Sequence, residues 1–203
     1  PVCYIYALLS LIPTLHQTPP PMFDYQQIID RHYPDAAPLR DIYMRHCRSV
    51  SDLALEIAAR LRLPLDSGEI EAAAMLHDIG IFLTDAPGIH CHGTAPYLTH
   101  GAIGADLLRS EGAPEELARV AERHTGAGLS PADVITLNTI LASKAAAAAE
   151  HPCEATLCLL PTDRSYLPES LLEKLICYAD KFYSKSGTME RKPLAVSYTH
   201  LTL

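Results

Sequence analysis

The chain has no tryptophan, and aromatic residues make up only 6% of its 203 residues. Base stacking on aromatic platforms therefore has little to build on. An excess of positive charge is also missing: 16 Lys and Arg stand against 24 Asp and Glu, a formal net charge of −8. No basic stripe is available for a phosphate backbone, which argues against a nucleic-acid binder. Six cysteines (Cys3, Cys47, Cys91, Cys153, Cys158, Cys177) lack the spacing of a disulfide scaffold or a zinc knuckle. They read as free thiols of a reducing cytoplasm. The apolar run Val2 to Ile12 is too short to span a bilayer and has no basic flank, so no membrane association is expected. There is no Ser–His–Asp arrangement and no cysteine nucleophile motif; Cys47 reads as a small packing residue. Strand alternation is nowhere convincing, which leaves an all-α fold.

What is present is a series of helices between two uninformative ends. Residues 1–21 have no periodic apolar face and end in Thr18-Pro19-Pro20-Pro21; they read as a non-native or disordered leader before a start at Met22. Residues 193–203 have neither periodicity nor a cap and read as a non-native tail, leaving a domain over 22–192 with an unusual segment at 137–161. Asp24 is expected to cap a short helix through Arg31. Pro38 opens a longer one to Leu61, with Ile42, His46, Val50, Leu53, Ile57 and Leu61 in one stripe. Asp66 and Glu69 form an acidic capping box for a helix running into His77-Asp78, where Gly80 is expected to supply a left-handed cap. Residues 84–98 read as a long loop. Thr99 is expected to cap a helix from His100 to Glu111, with Gly112 as terminator, and Pro114 to open one whose inner face is Leu117, Val120, Ala121 and His124. Ser130 starts another, and Pro168 opens a last helix with Leu172, Ile176, Asp180 and Tyr183 on one side.

The function lies in that pattern. His46, His77, Asp78, His100, His124 and Asp180 all fall on or beside apolar faces, from five separate helices. One histidine on an apolar face is ordinarily a hydrogen-bonded core residue. Six unpartnered polar groups would cost about 1–3 kcal/mol each, a sum comparable to the whole stability of a domain. They must converge on one another or on a metal. Four imidazoles and two carboxylates make a mixed nitrogen and oxygen set suited to one or two divalent transition metals, with iron or manganese favoured and zinc, nickel, cobalt or magnesium also accommodated. His90-Cys91-His92 has no periodicity and reads as loop, with His92 at the pocket rim.

His46, then His77-Asp78 within HDIG, then Asp180 within Tyr178-Ala179-Asp180-Lys181 resemble the HD-domain metal phosphohydrolase superfamily. His100 in THGAIGADLL and His124 in ERHTGAG resemble its two-metal subgroup, which includes HD-type dinucleoside-tetraphosphate hydrolases and uncharacterised HDIG proteins. The match covers about residues 38–187. It implies an HD-domain helical bundle with the metal site between its core helices. It also implies that His46, His77, Asp78 and Asp180 hold one metal, and that Asp78 bridges to a second held by His100 and His124. The implied activity is hydrolysis of a small phosphoester or nucleotide-type phosphoanhydride by a metal-activated water. Asp78 and Lys181 are the implied catalytic residues, with Lys181 the local phosphate partner. Many relatives carry a basic residue directly after HDIG; here it is Ile81. Two other readings use the same ligands: a di-iron oxygenase, and a non-catalytic metal- or nucleotide-sensing module.

Overall fold

The computed structural model describes residues 23–35, 37–148, 159–187 and 190–193. The leader expected over 1–21, residues 149–158 of the unusual segment, and the expected tail apart from Pro193 lie outside the described residues. The fold is helical: α1 (Tyr25–His32), α2 (Pro38–Leu61), α3 (Ser67–Leu76), α4 (His100–Ser110), α5 (Glu115–Arg123), α6 (Pro131–Ala148) and α7 (Leu171–Asp180). None of the described helices is long and apolar enough to cross a membrane.

The helix starts follow from side-chain chemistry. Asp24 accepts from the Gln26 amide and Asp66 from the Glu69 amide, each supplying an acceptor for an amide with no partner in its own helix. Ser130 accepts from the Asp133 amide, and Asp133 accepts from the Ser130 amide in return. The last helix starts later than expected: Ser170 and Glu173 form a full capping box, and Pro168 lies outside it. Thr99 precedes α4 without capping it, because its hydroxyl donates to the Pro96 carbonyl instead.

Helix α3 is the centre. Ile70, Ala72, Ala73, Ala74, Met75 and Leu76 are all buried, so it is apolar nearly all round. It packs against α1, α2, α5 and α7, while α4 and α5 form a hairpin turned by Gly112 at φ +74°. His46, Val50 and Leu53 of the expected α2 stripe are buried, and the buried face extends sideways to Tyr43, Cys47 and Ala54, while Ile42 and Ile57 are half-buried and Leu61 at the helix end is 66% exposed.

Two further expectations change. Gly80 does not adopt a left-handed cap. It sits in a 3₁₀ turn, Ile79–Leu83, where an added Cβ would lie 2.4 Å from the His100 carbonyl oxygen and 2.6 Å from the Gly104 amide. Its role is close approach of this turn to the start of α4. The stretch read as a loop over 84–98 contains three short strands, β1 (Thr84–Ala86), β2 (Cys91–His92) and β3 (Ala95–Pro96), in the order β2-β1-β3. β1 pairs antiparallel with β2 (Asp85 opposite His92) and parallel with β3 (Thr84 opposite Ala95). Strands of two or three residues are too short to show alternation in sequence.

Candidate metal centre

The chain delivers its polar residues to one place mainly by ending helices there. His77 follows the last residue of α3, with Asp78 next to it; His124 follows α5; Asp180 is the final residue of α7. His100 is the first residue of α4, and His46 alone comes from mid-helix, in α2. Three helix C-termini thus aim their negative ends at one point, which favours a cation. Two tyrosine hydroxyls brace the backbone around the motif: Tyr43 donates to the Met75 carbonyl and Tyr33 to the Ile79 carbonyl, at 2.9 Å for the latter. Sequence reasoning missed both: Tyr43 lies outside the expected stripe of α2, and Tyr33 lies beyond the expected end of α1.

The six side chains fall into two groups that share Asp78: His46, His77, Asp78 and Asp180, and Asp78, His100 and His124. Asp78 Oδ2 lies 3.0 Å from His46 Nε2 and 3.2 Å from His77 Nε2. Its other oxygen, Oδ1, lies 3.3 Å from both His100 Nε2 and His124 Nε2. Asp180 Oδ1 closes the first group, 3.1 Å from His46 Nε2 and 3.6 Å from His77 Nε2. His46, His77, Asp78, His100 and His124 are all buried.

The hydrogen bonds behind the rings decide what this arrangement is for. His77 Nδ1 lies 2.6 Å from the Ala74 carbonyl, His100 Nδ1 2.6 Å from the Tyr97 carbonyl and His124 Nδ1 2.7 Å from the Ala121 carbonyl. Carbonyls only accept, so each Nδ1 carries a proton, and each ring in its neutral form presents a bare Nε2 lone pair inward. These lone pairs face one another across short gaps: His46 and His77 Nε2 are 3.3 Å apart, His100 and His124 Nε2 3.0 Å. Both oxygens of Asp78 lack a hydrogen bond of proper geometry, as does His46 Nδ1. Lone pairs opposed around a carboxylate repel unless a cation lies between them. The donor set therefore fits divalent metal, in two groups joined through Asp78.

The electrostatics of the protein alone show the same strain. Burial pushes the His124 pKa down to about 4. Burial opposes charge on His77 too, yet the Asp78 and Asp180 carboxylates outweigh it and raise that pKa well above the ordinary value. Burial likewise opposes charge on Asp78, but Lys185 and His77 hold its carboxyl well below the usual range. The cage therefore draws in positive charge of its own.

Two lysines border the cage. Lys181 donates to the His124 carbonyl at 3.3 Å and lies 3.7 Å from Asp180 Oδ2. Lys185 was not anticipated: its ammonium is ion-paired with Asp78 Oδ2 at 2.6 Å. Four residues from Lys181 on a turn, it offered no periodic signal. A cavity of about 420 Å³ opens beside Asp180 and Lys185, and Ala86, Ile89, Tyr97 and Tyr183 also line it. The 84–98 segment walls the cavity through Ala86, Gly88, Ile89 and Tyr97, and the described residues of 137–161 do not line it. Instead α6 packs its Val134 against Ala102, Leu160 and Tyr166. His90 and His92 are exposed and stay out of the cage.

A family model of the HD domain matches residues 43–184. The tRNA (cytidine(56)-2'-O)-methyltransferase of Thermoplasma volcanium is 28% identical over 175 residues, 86% of this chain and 41% of that protein. The enzyme of the same name from Picrophilus torridus is 26% identical over 163 residues, 80% of this chain and 38% of that protein. An uncharacterised protein of Methanocaldococcus jannaschii is 33% identical over 140 residues, 68% of this chain and 63% of that protein. The chain spans about two fifths of the length of the two methyltransferases. No solved structure matches. With the match running from α2 through the end of α7 and enclosing all six converging side chains, this chain belongs to the HD-domain family.

Proposed function

We propose that the chain is a metal-dependent phosphohydrolase acting on a small phosphoester or a nucleotide-type phosphoanhydride. The observation that carries this reading is the two pairs of imidazoles whose Nε2 atoms face each other on either side of Asp78, a buried carboxylate with no hydrogen bond of proper geometry. His46, His77, Asp78 and Asp180 hold one cation, and Asp78, His100 and His124 the second. Two bound cations supply a water of lowered pKa and neutralise phosphoryl charge. The protein's own part is positioning. The carbonyls of Ala74, Tyr97 and Ala121 lock three rings in the ligating tautomer, and the helix C-termini hold the field for positive charge. Lys181, held on the His124 carbonyl, carries positive charge close to Asp180 for the substrate phosphate. The cavity beside Asp180 falls in the range of small-molecule sites, about 300–1,000 Å³.

The tRNA-modifying name belongs to proteins more than twice the matched length, and a net charge of −8 disfavours a tRNA substrate here. The free thiols and the ligand set are consistent with a cytoplasmic enzyme. The test is a hydrolysis screen over phosphomonoesters, nucleotides and dinucleotides with the manganese- or iron-loaded protein. Phosphate release that disappears in Asp78→Ala supports the reading. Oxygen uptake with an organic substrate, and no phosphate release, would replace it with an oxygenase.

A further inference from the structure

The turn after α7 carries a group that the metal cage does not need but that reaches into it. The chain leaves Asp180 through tight turns, with the Tyr183 amide donating to the Asp180 carbonyl at 3.1 Å. It returns where the Lys192 amide donates to the Phe182 carbonyl at 2.7 Å. Between these ties Lys185 reaches back to Asp78 Oδ2 at 2.6 Å, with its side chain only 13% exposed. Its ammonium also lies 5.9 Å from the centre of the Tyr97 ring. The same lysine lines the 420 Å³ cavity, together with Asp180, Tyr97, Tyr183, Ser184 and Lys192. That lining has one carboxylate against two ammonium groups, on a chain with a net charge of −8.

We propose that Lys185, which lines the cavity where Lys181 does not, is a second lysine contacting the substrate phosphoryl group, and that it stands in for a metal at Asp78 until one arrives. This role for Lys185 rests on the phosphohydrolase reading above and on the geometry of one oxygen. Oδ2 is the Asp78 atom shared with His46 and His77, so an ammonium beside it is placed where a dication would be drawn. The two positive charges repel and cannot both keep that oxygen. The ammonium sits on a flexible four-carbon stem, so it can move without rearranging the backbone. The cavity it already lines is the space beside it, and a phosphoryl group entering through that cavity supplies the anion that Lys185 has lost. Phosphate is a natural partner for a compact ammonium point charge. Lys185 thus changes partner, from carboxylate to phosphate, as metal and substrate bind.

The experiment uses wild type, Lys185→Met and Lys185→Arg, with manganese and inorganic phosphate as probes. Calorimetric titration of the metal-free proteins should show Lys185→Met binding manganese several-fold more tightly than wild type, because a competing cation is gone. The manganese-loaded Lys185→Met protein should bind inorganic phosphate about 10- to 100-fold more weakly, the usual scale for a lost charged hydrogen bond. Lys185→Arg should restore most of the phosphate affinity. Amine acetylation read by mass spectrometry needs only the wild-type protein. Lys185 should be protected without metal, reactive with manganese, and protected again when phosphate is added. Weaker manganese binding by a folded Lys185→Met, unchanged phosphate affinity, or an acetylation pattern indifferent to metal would each overturn the proposal. Wild-type protein that binds manganese but neither binds nor releases phosphate would sink the phosphohydrolase reading as well. Normal wild-type phosphate binding with an unaffected Lys185→Met would sink this proposal alone.

Discussion

Two regions of this molecule bury ionisable side chains, and they handle them in opposite ways. On the outer face of α4, α5 and α7, Glu122 and Glu173 are 4% and 2% exposed. Arg109 donates to both Glu115 and Glu122, and Arg164 to Asp106 and Glu122. Arg119 and Arg123 donate to Glu173, which also accepts from the amides of Glu169 and Ser170. Every carboxylate there meets a donor, and the network closes on itself. In the cage around Asp78 the ring Nε2 atoms face one another, and the central carboxylate has the Lys185 ammonium beside one oxygen but no hydrogen bond of proper geometry at either. A buried cluster that completes its own hydrogen bonds is structure. One that withholds them, with its tautomers fixed from behind, is prepared for something from outside.

Breaking the cage should therefore abolish function, and breaking the network should cost stability. The largest effect is expected for Asp78→Ala, which removes the one carboxylate common to both ligand groups. Metal analysis should show both ions lost, and hydrolysis should fall at least about 100-fold. Loss of only one ion would show that Asp78 is not shared. His100→Ala or His124→Ala should cost only the second ion.

The next effect belongs to the network. Glu173→Gln leaves Arg123, 11% exposed, facing a neutral amide and weakens the capping box of α7. Breaking a buried pair costs about 3–5 kcal/mol, so a large fall in Tm is expected, with metal content at saturation unchanged. If Glu173→Gln lost metal while keeping its Tm, the division between the two regions would be mistaken.

Acid should separate the regions without any substitution. The cage needs neutral rings to bind metal, and the carboxylates raise the His77 pKa well above the ordinary value, so proton competition should begin to release metal before pH falls to the ordinary histidine pKa of about 6.5. Burial works against the ionised form of Glu173, but amide and arginine donors hold its folded pKa below the ordinary glutamate value. The stability it contributes is therefore complete above the unfolded-state pKa of about 4.3, and is lost only as pH falls through the lower folded value. Metal content and circular dichroism followed together should show two separate transitions, metal loss first. A single coincident transition would mean that the metal holds the whole fold.

Much of the cage was legible in sequence because the helical period is a strong signal. His46, His77, His100, His124 and Asp180 could be placed on inward faces from their spacing to Leu, Val, Ile and Ala neighbours. What could not be read was set by tertiary contact. Gly80 looked like a helix cap, but its lack of a side chain is required by the His100 carbonyl, twenty residues on in the chain. Lys185 looked like any lysine on a polar turn, and only the return of that turn toward Asp78 distinguishes it. The arginine network was invisible for a related reason. Arg109, Arg123 and Arg164 are charged residues on helix surfaces or in a loop, and nothing local says that they meet over buried glutamates.

The smallest expected effect tests whether the network really closes on itself. Arg164 is 30% exposed along its side chain and shares Glu122 with Arg109. In Arg164→Met, Glu122 keeps both contacts from Arg109, at 3.0 and 3.1 Å, so no buried charge is left alone. The partly exposed pairs to Asp106 and Glu122 are screened by solvent, and the cost should stay near the 0–1 kcal/mol of surface ion pairs. Denaturant unfolding should show a small shift in midpoint with an unchanged slope. Arg109→Met removes two contacts to Glu122 and two to Glu115 together, and should cost several times more. Equal losses in the two variants would mean that Glu122 depends on both arginines at once and that the network has no spare donor. In that case its difference from the cage would be one of degree, since both regions would then hold a buried carboxylate only just satisfied.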